Sequence, residues 1–322
     1  MKSETKKELQ VIALLDGRPG HEKQTMGIIH ALQQRVPVKV VRIDVSSFSL
    51  FEAFKQTCRL FLSSSGLSHP QISKGDFLIG TGSGTHLPML LYKRKYSIPA
   101  ITCMSPAMHL RKYLDLCFVP EHDRVIDADN IMITAGAPNC SVNKRNHRKE
   151  CGLILLGGID TKSHYWDSQQ VAQMVEKVIK NYPQKHWTVS SSPRTPEDML
   201  VIIRQIARKY HNFRFFDYRD TAPGWIEEQY DKNSLVWVTA DSISMIYEAI
   251  TAGCTVGVFP MQWVRENSKF KRNENVLLEK RLVTPFGSWE KSGTIQAHNK
   301  ELNEAQRCAD WILQKWWPTN LQ

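Results

Sequence analysis

Apolar and polar positions along the chain follow one repeated pattern: a short apolar run, then a longer stretch with helical spacing. That alternation predicts βαβ units and parallel sheets. Leu9 to Leu15 reads as a strand of the fully buried type, Gln24 to Gln34 as the helix after it, and Val38 to Ile43 as the second strand. Leu50 to Leu62 reads as a helix, Phe77 to Ile79 as a short strand, and Pro88 to Tyr96 as a helix with its proline in the first turn. Ala100 to Met104, Leu116 to Val119 and Ile131 to Thr134 complete the first series of strands.

Asn139 to Glu150 is polar, charged and without periodicity, and reads as a linker. The rhythm then starts again. Leu153 to Leu156, Trp187 to Ser190, Phe213 to Phe216, Leu235 to Thr239 and Val256 to Phe259 read as strands. Gln169 to Lys180, Pro196 to Tyr210 and Ser242 to Ala252 read as helices, the last stopped by Gly253. Glu301 to Trp317 is a terminal helix. Two similar series predict an α/β protein of two Rossmann-like domains facing each other across a cleft. The expected division is residues 1–145, residues 146–300, and a terminal helix over 301–322 packing back towards the first domain.

Length and composition agree with that division. At roughly 100–200 residues per domain, the 322 residues make two domains the natural expectation. No run approaches the ~20 apolar residues of a membrane span. The charged start, Met1 to Gln10, lacks the apolar segment of a signal peptide, so a cytoplasmic protein is expected. The seven cysteines are scattered without a C-x-x-C pair, which suits reduced thiols better than a disulfide framework or a zinc site. The formal net charge of +10 favours anionic partners. No nucleic-acid-binding motif accompanies it. A phosphate-rich ligand or an anionic membrane face fits better, and the terminal tryptophans suit the latter.

In parallel sheets, ligands bind beyond the carboxyl ends of the strands. The loops there carry the candidate chemistry. Asp16, Gly17, Arg18, Gly20, His21, Glu22 and Gln24 follow the first strand, with a cation, two proton-transfer groups and glycines that permit close approach. Thr81, Gly82 and Ser83 belong to a Gly/Ser/Thr loop suited to an anion. Ser105 and the His122-Asp123 pair follow later strands, the pair as an acid/base candidate. In the second half, Gly157 and Gly158 suggest close ligand approach. Ser190, Arg194 and Thr195 suit a diphosphate, Arg194 with bidentate donors. Asp241, Ser242 and Ser244 open a helix, and Glu248 lies within it where a carboxylate can accept from ribose hydroxyls. For each loop a plain capped turn is the competing reading.

Taken in order, D-G-R-P-G-H-E-K-Q, GTGS, PEHD, TAGAP, LLGG, S-S-P-R-T-P and VTADSISM-I-Y-EA resemble the blocks of a family named for a plant mitochondrial fission factor ("elongated mitochondria"), which has bacterial members. The resemblance spans roughly residues 10–290 and implies a GT-B fold. In that fold the C-terminal domain takes a nucleotide-sugar and the N-terminal domain the acceptor. Pro193 stands where the family usually has a second basic residue beside the arginine.

The leading expectation is a nucleotide-sugar-dependent glycosyltransferase acting on a cell-envelope glycolipid or polysaccharide precursor. It would sit on the inner face of the cytoplasmic membrane. Ser242, Ser244 and Arg194 would hold the diphosphate and Glu248 the ribose. His21 or Glu22 would be the general base. No cofactor or metal is expected, because arginine and helix N-termini can stabilise the departing diphosphate. Two alternatives stand beside it: a nucleotide-sugar epimerase of the same fold, which would need acid/base groups such as His122, Asp123 and Glu22, and a non-catalytic adaptor like the plant members.

Overall fold

The computed structural model describes residues 8–46, 55, 67, 75–125, 128–296 and 301–321. The chain divides into two compact units, Met1–Cys140 with Asn303–Gln322, and Ser141–Leu302.

The first unit holds β1 (Leu9–Leu15), α1 (Pro19–Gln33), β2 (Val38–Asp44), β3 (Phe77–Gly80), α2 (Ser83–Tyr96), β4 (Ala100–Thr102), α3 (Met108–Arg111), β5 (Leu116–Pro120) and β6 (Ile131–Thr134). Its sheet is parallel throughout, in the order β2-β1-β3-β4-β5-β6. Successive side chains of a strand point to opposite faces, and β1 sorts its residues accordingly. Val11 and Ala13 join one apolar cluster with Ile28, Ile29 and Leu32 of α1. Ile12 and Leu14 join another with Met89, Leu90 and Leu91 of α2. A strand covered on both faces is apolar along nearly its whole length, which is why Leu9 to Leu15 has Gln10 as its one polar residue and no polar alternation.

Two helices start earlier than their apolar spacing predicts. α1 begins at Pro19, because proline suits the first helical position, so Gly20, His21, Glu22 and Gln24 lie on a helix. α2 begins at Ser83, where Gly82 turns the chain at φ +103° and Thr85 closes the first turn onto the Gly82 carbonyl. Pro88 is therefore inside the helix and not in its first turn. The helix expected over Leu50 to Leu62 lies, apart from Lys55, outside the described residues.

The second unit holds β7 (Arg148–Leu155), β8 (His164–Tyr165), α4 (Ser168–Asn181), β9 (His186–Ser190), α5 (Glu197–Lys209), β10 (Phe213–Phe216), α6 (Trp225–Lys232), β11 (Asn233–Thr239), α7 (Ile243–Thr251), β12 (Thr255–Phe259), β13 (Gln262–Trp263), α8 (Lys269–Glu279), β14 (Thr284–Pro285) and α9 (Phe286–Ser292). The sheet is again parallel, in the order β10-β9-β7-β11-β12-β14. Counted within the unit, and leaving aside the small β8–β13 ribbon, this is the 3-2-1-4-5-6 order of the doubly wound nucleotide-binding fold. The end of the expected linker is strand: Arg148 to Glu150 open β7, exposed where they precede the apolar stretch, with a register shift opposite Asn233. Trp237 anchors the core between Phe259 and Trp289, with ring centroids 4.9 and 5.2 Å away.

The last helix, α10 (Glu304–Trp316), returns to the first unit. Cys308, Ala309, Ile312 and Leu313 bury one stripe against α1. Arg35 clasps Asp310 through both carboxylate oxygens, with Nη2 to Oδ2 at 3.0 Å. The described cysteines are all free, five of them buried.

Candidate functional site

In doubly wound sheets the ligand crevice opens where the strand order reverses. The first unit reverses between β1 and β3, the second between β7 and β11. Both places are built from the residues singled out above.

At the first reversal, the loop after β1 brings Asp16 to within 2.7 Å of His21 on α1, Oδ2 to Nδ1. The Asp16 carboxylate is 8% exposed and His21 21%. Oδ1 of Asp16 accepts from the Arg18 N–H at 3.2 Å. The acceptor at Nδ1 places the ring proton there and leaves Nε2 as the basic nitrogen. Glu22 is otherwise engaged: its Oε1 accepts from the Gly17 N–H at 3.1 Å and fixes the loop. The loop after β3 closes over the pair. A Cβ on Gly82 would lie 2.4 Å from both Asp16 Oδ2 and His21 Nδ1. Beneath it, Thr81 shares a hydrogen bond with Thr25 at 2.8 Å, both buried.

His86, one turn further along α2, is buried and bonded through Nε2 to Thr102 Oγ1 at 3.1 Å. Burial, with a smaller contribution from His21, pushes its pKa down to about 4, so it is neutral at physiological pH. Gly17, Arg18, Gly20 and Ser83 are exposed, and Gln24 and Ser105 half-buried. His122 and Asp123 do not form a tight pair: Nε2 and Oδ1 are 3.8 Å apart, beyond a hydrogen bond.

At the second reversal, Gly157 and Gly158 follow β7, and every backbone polar group of the two is taken by a side chain. The Gly157 N–H donates to Thr239 Oγ1 at 2.7 Å, and its carbonyl accepts from Ser192 Oγ at 2.9 Å and Thr195 Oγ1 at 2.5 Å. The Gly158 N–H donates to Asp241 Oδ2 at 3.2 Å. Its carbonyl accepts from Arg194 Nη1 at 3.3 Å and pairs with His164 Nε2 at 2.9 Å. These N–H groups are therefore structural ties. Only glycine fits here, since a Cβ on Gly157 would sit 2.1 Å from Asp241 Oδ2 and one on Gly158 1.9 Å from the Arg194 carbonyl oxygen.

Around this knot stand the polar groups that face a ligand. The Arg194 side chain is 41% exposed and donates through Nη2 to Asp241 at 2.7 Å and to Ser242 Oγ at 3.4 Å. Ser242 is the N-cap of α7, and Ser244 lies exposed in its first turn. The first N–H groups of a helix have no intrahelical partners and favour an anion. Ser190 is buried, its hydroxyl turned to the Ser191 carbonyl at 3.2 Å. Glu248 is buried on the inner side of α7 and helps, after burial itself, to raise the Tyr230 hydroxyl pKa well above its ordinary value.

Two residues of these clusters escape sequence reasoning. His86 and His164 are lone histidines, in HLPML and KSHYW, with no spacing that marks them. His164 is fixed by Ser163 Oγ at 2.8 Å from Nδ1 and by edge contacts with Trp166 and Trp263. Among the described residues, no group of three or more His, Cys, Asp or Glu side chains converges as metal ligands. An Asp-x-Asp triplet occurs at Asp127 to Asp129, before β6, with Asp127 outside the described residues. No helix among the described residues is long and apolar enough to cross a membrane.

The parallel sheet of each unit, with its reversal of strand order, and the likeness to solved structures define a GT-B-type fold. The profile of the mitochondrial fission ELM1 family matches residues 19–316, and the chain belongs to that family. Comparison with curated protein sequences gives no match. Among solved structures, a Listeria monocytogenes protein described as a UDP-N-acetylglucosamine 2-epimerase superposes with a TM-score of 0.57 at 13% identity, covering 98% of each chain. A second UDP-N-acetylglucosamine 2-epimerase gives 0.52 at 15% identity, covering 96% of this chain and 97% of that one. The Methanocaldococcus jannaschii UDP-GlcNAc 2-epimerase, crystallised with UDP-GlcNAc and UDP, gives 0.50 at 11%, covering 96% and 100%. At such identities the likeness is one of fold.

Proposed function

We propose that this protein is a nucleotide-sugar-dependent glycosyltransferase acting on a cell-envelope glycolipid or polysaccharide precursor at the inner face of an anionic cytoplasmic membrane. The observation that carries the reading is the Arg194 guanidinium, held at the N-cap of α7 with nearly half its side chain open to solvent. A planar cation beside a helix N-terminus suits a diphosphate, which the arginine can grip bidentately. The Asp16–His21 pair supplies the second requirement, an oriented base.

In this reading an acceptor hydroxyl oxygen attacks the anomeric carbon of the sugar. His21 Nε2 takes its proton, while Asp16 holds the tautomer and stabilises the imidazolium that forms. The bond from the anomeric carbon to the diphosphate oxygen breaks, and the charge that develops there falls on Arg194 and the α7 N-terminus. No metal is required for these steps. Ser242 and Ser244 complete the phosphate contacts and Glu248 is the ribose partner, while Thr195, expected among the phosphate contacts, spends its buried hydroxyl on the Gly157 carbonyl.

The test is product analysis with UDP-, GDP-, ADP- and CMP-sugars, with and without a polyprenyl-phosphate-linked sugar acceptor. A glycosylated acceptor, lost in His21→Ala, supports the transferase. Isomerised donor without acceptor would make the protein an epimerase. Absence of nucleotide binding would leave an adaptor role.

A further inference from the structure

A carboxylate at the centre of a diphosphate site is an electrostatic contradiction. Asp241 is that carboxylate. Its side chain has no solvent exposure. Oδ2 gathers three donors: Arg194 Nη2 at 2.7 Å, the Gly158 N–H at 3.2 Å and Ser242 Oγ at 3.3 Å. Oδ1 is buried and accepts no hydrogen bond. A negative group this close to a bound phosphate would repel it. The contacts also leave no edge of Oδ2 for a ligand.

We infer that Asp241 is not a ligand contact but the positioning residue of Arg194, a buried counterion that holds the guanidinium in its binding orientation before any ligand arrives. The inference rests on the nucleotide-sugar reading of this site. Its geometry is specific. Nη2 is tied to Asp241 and Nη1 to the Gly158 carbonyl. The arginine is thus gripped through both terminal nitrogens while 41% of its side chain stays exposed. The Gly158 carbonyl is itself braced by His164, and the Gly158 N–H by Asp241, so the arginine and the glycine loop are fixed by the same two side chains. Pre-organisation of this kind raises affinity by removing the cost of ordering a long side chain on binding. Asp241 also keeps the site close to neutral when it is empty, so the arginine does not seek another acid.

This role predicts a sign opposite to simple electrostatics. If Asp241 only repelled the anion, Asp241→Asn would tighten binding. As a positioning residue, its loss weakens binding although one negative charge has gone. Arg194→Lys keeps the cation but cannot bridge Asp241 and the Gly158 carbonyl together, so it should weaken binding similarly.

The experiment has two arms on the full chain. In the first, UDP and inorganic pyrophosphate are titrated into the wild type, Asp241→Asn and Arg194→Lys, with Gln173→Ala on the exposed face of α4 as a control away from the site. A tenfold or greater rise in Kd in Asp241→Asn, with the unliganded melting temperature retained, is the expected result. Equal or tighter binding in Asp241→Asn overturns the inference. In the second, nitrogen-15 NMR of the arginine side chains reads rotation of the Arg194 guanidinium without ligand. Two separate Nη signals in the wild type that merge in Asp241→Asn are expected. Free rotation already in the wild type overturns the inference, whether or not any nucleotide binds. If neither ligand binds the wild type, the nucleotide-sugar reading fails and the NMR arm alone decides the role of Asp241.

Discussion

Gly82 and His21 come from different strand ends, yet a Cβ on Gly82 would lie 2.4 Å from His21 Nδ1, as close as it would lie to Asp16 Oδ2. The glycine therefore closes a lid on the hydrogen bond between the other two. Its φ of +103° with ψ of 147° also lies where residues with a side chain are strained. Gly82→Ala should cost about 1–3 kcal/mol of stability from the backbone alone. It should also lower turnover to near the level of His21→Ala. Melting curves and kcat measured side by side check both parts.

The buried His86 makes a pH prediction. Its folded pKa of about 4 is below the ordinary 6.5, so the unfolded chain binds the proton first as pH falls. Its contribution is fully present above pH 6.5 and is lost progressively down to about 4. The limit is about 3 kcal/mol, from 1.36 kcal/mol per tenfold change in proton affinity. His86→Gln, which can still reach Thr102, should flatten that limb. Urea titrations of the two proteins between pH 7 and 4 give the difference.

The glycines divide sharply by what surrounds them. Gly158→Ala would force a methyl into the Arg194 backbone carbonyl, which has nowhere to go, and should cost about 1–3 kcal/mol or more. Gly20 has nothing within 4 Å of its missing Cβ and sits in the first turn of α1. Gly20→Ala should stabilise the fold by up to about 1 kcal/mol. Chemical denaturation of both variants separates a tie in the structure from an open helical position.

His164 holds the Gly158 carbonyl and packs edge-on between two tryptophans. His164→Phe keeps the ring and removes the hydrogen bond, so about 1–2 kcal/mol should be lost. Binding of UDP should weaken with it, because the same carbonyl steadies Arg194. Calorimetric titration reads the second effect.

Much of this architecture is legible in the chain itself. β1, β6 and β10 have the predicted limits, and the other strands of the two sheets, the two-residue β14 aside, differ by a few residues, because buried parallel strands are written as largely apolar runs. The first-turn preference of proline is a weaker guide. It holds at Pro19 but misplaces α2, where Gly82 rather than Pro88 decides the start. α3, α6, α8 and α9 are not marked in the sequence, since they are short or strongly charged and their apolar stripes are brief. The loops of the site were visible as clusters of Gly, Ser, Thr and Arg. What could not be read is which polar groups satisfy one another. Asp16 with His21, Arg194 with Asp241, and the lone His86 and His164 find partners only when strands distant in sequence become neighbours.

The most direct test of the central claim is a thermal-shift titration of the wild type and Arg194→Ala with UDP, GDP, ADP and CMP. A ligand bound only by the folded chain raises the midpoint by mass action. The account predicts a rise with one nucleotide diphosphate that grows with concentration and is lost in Arg194→Ala. An unchanged midpoint with all four at millimolar concentration, or a shift that survives in Arg194→Ala, would contradict it.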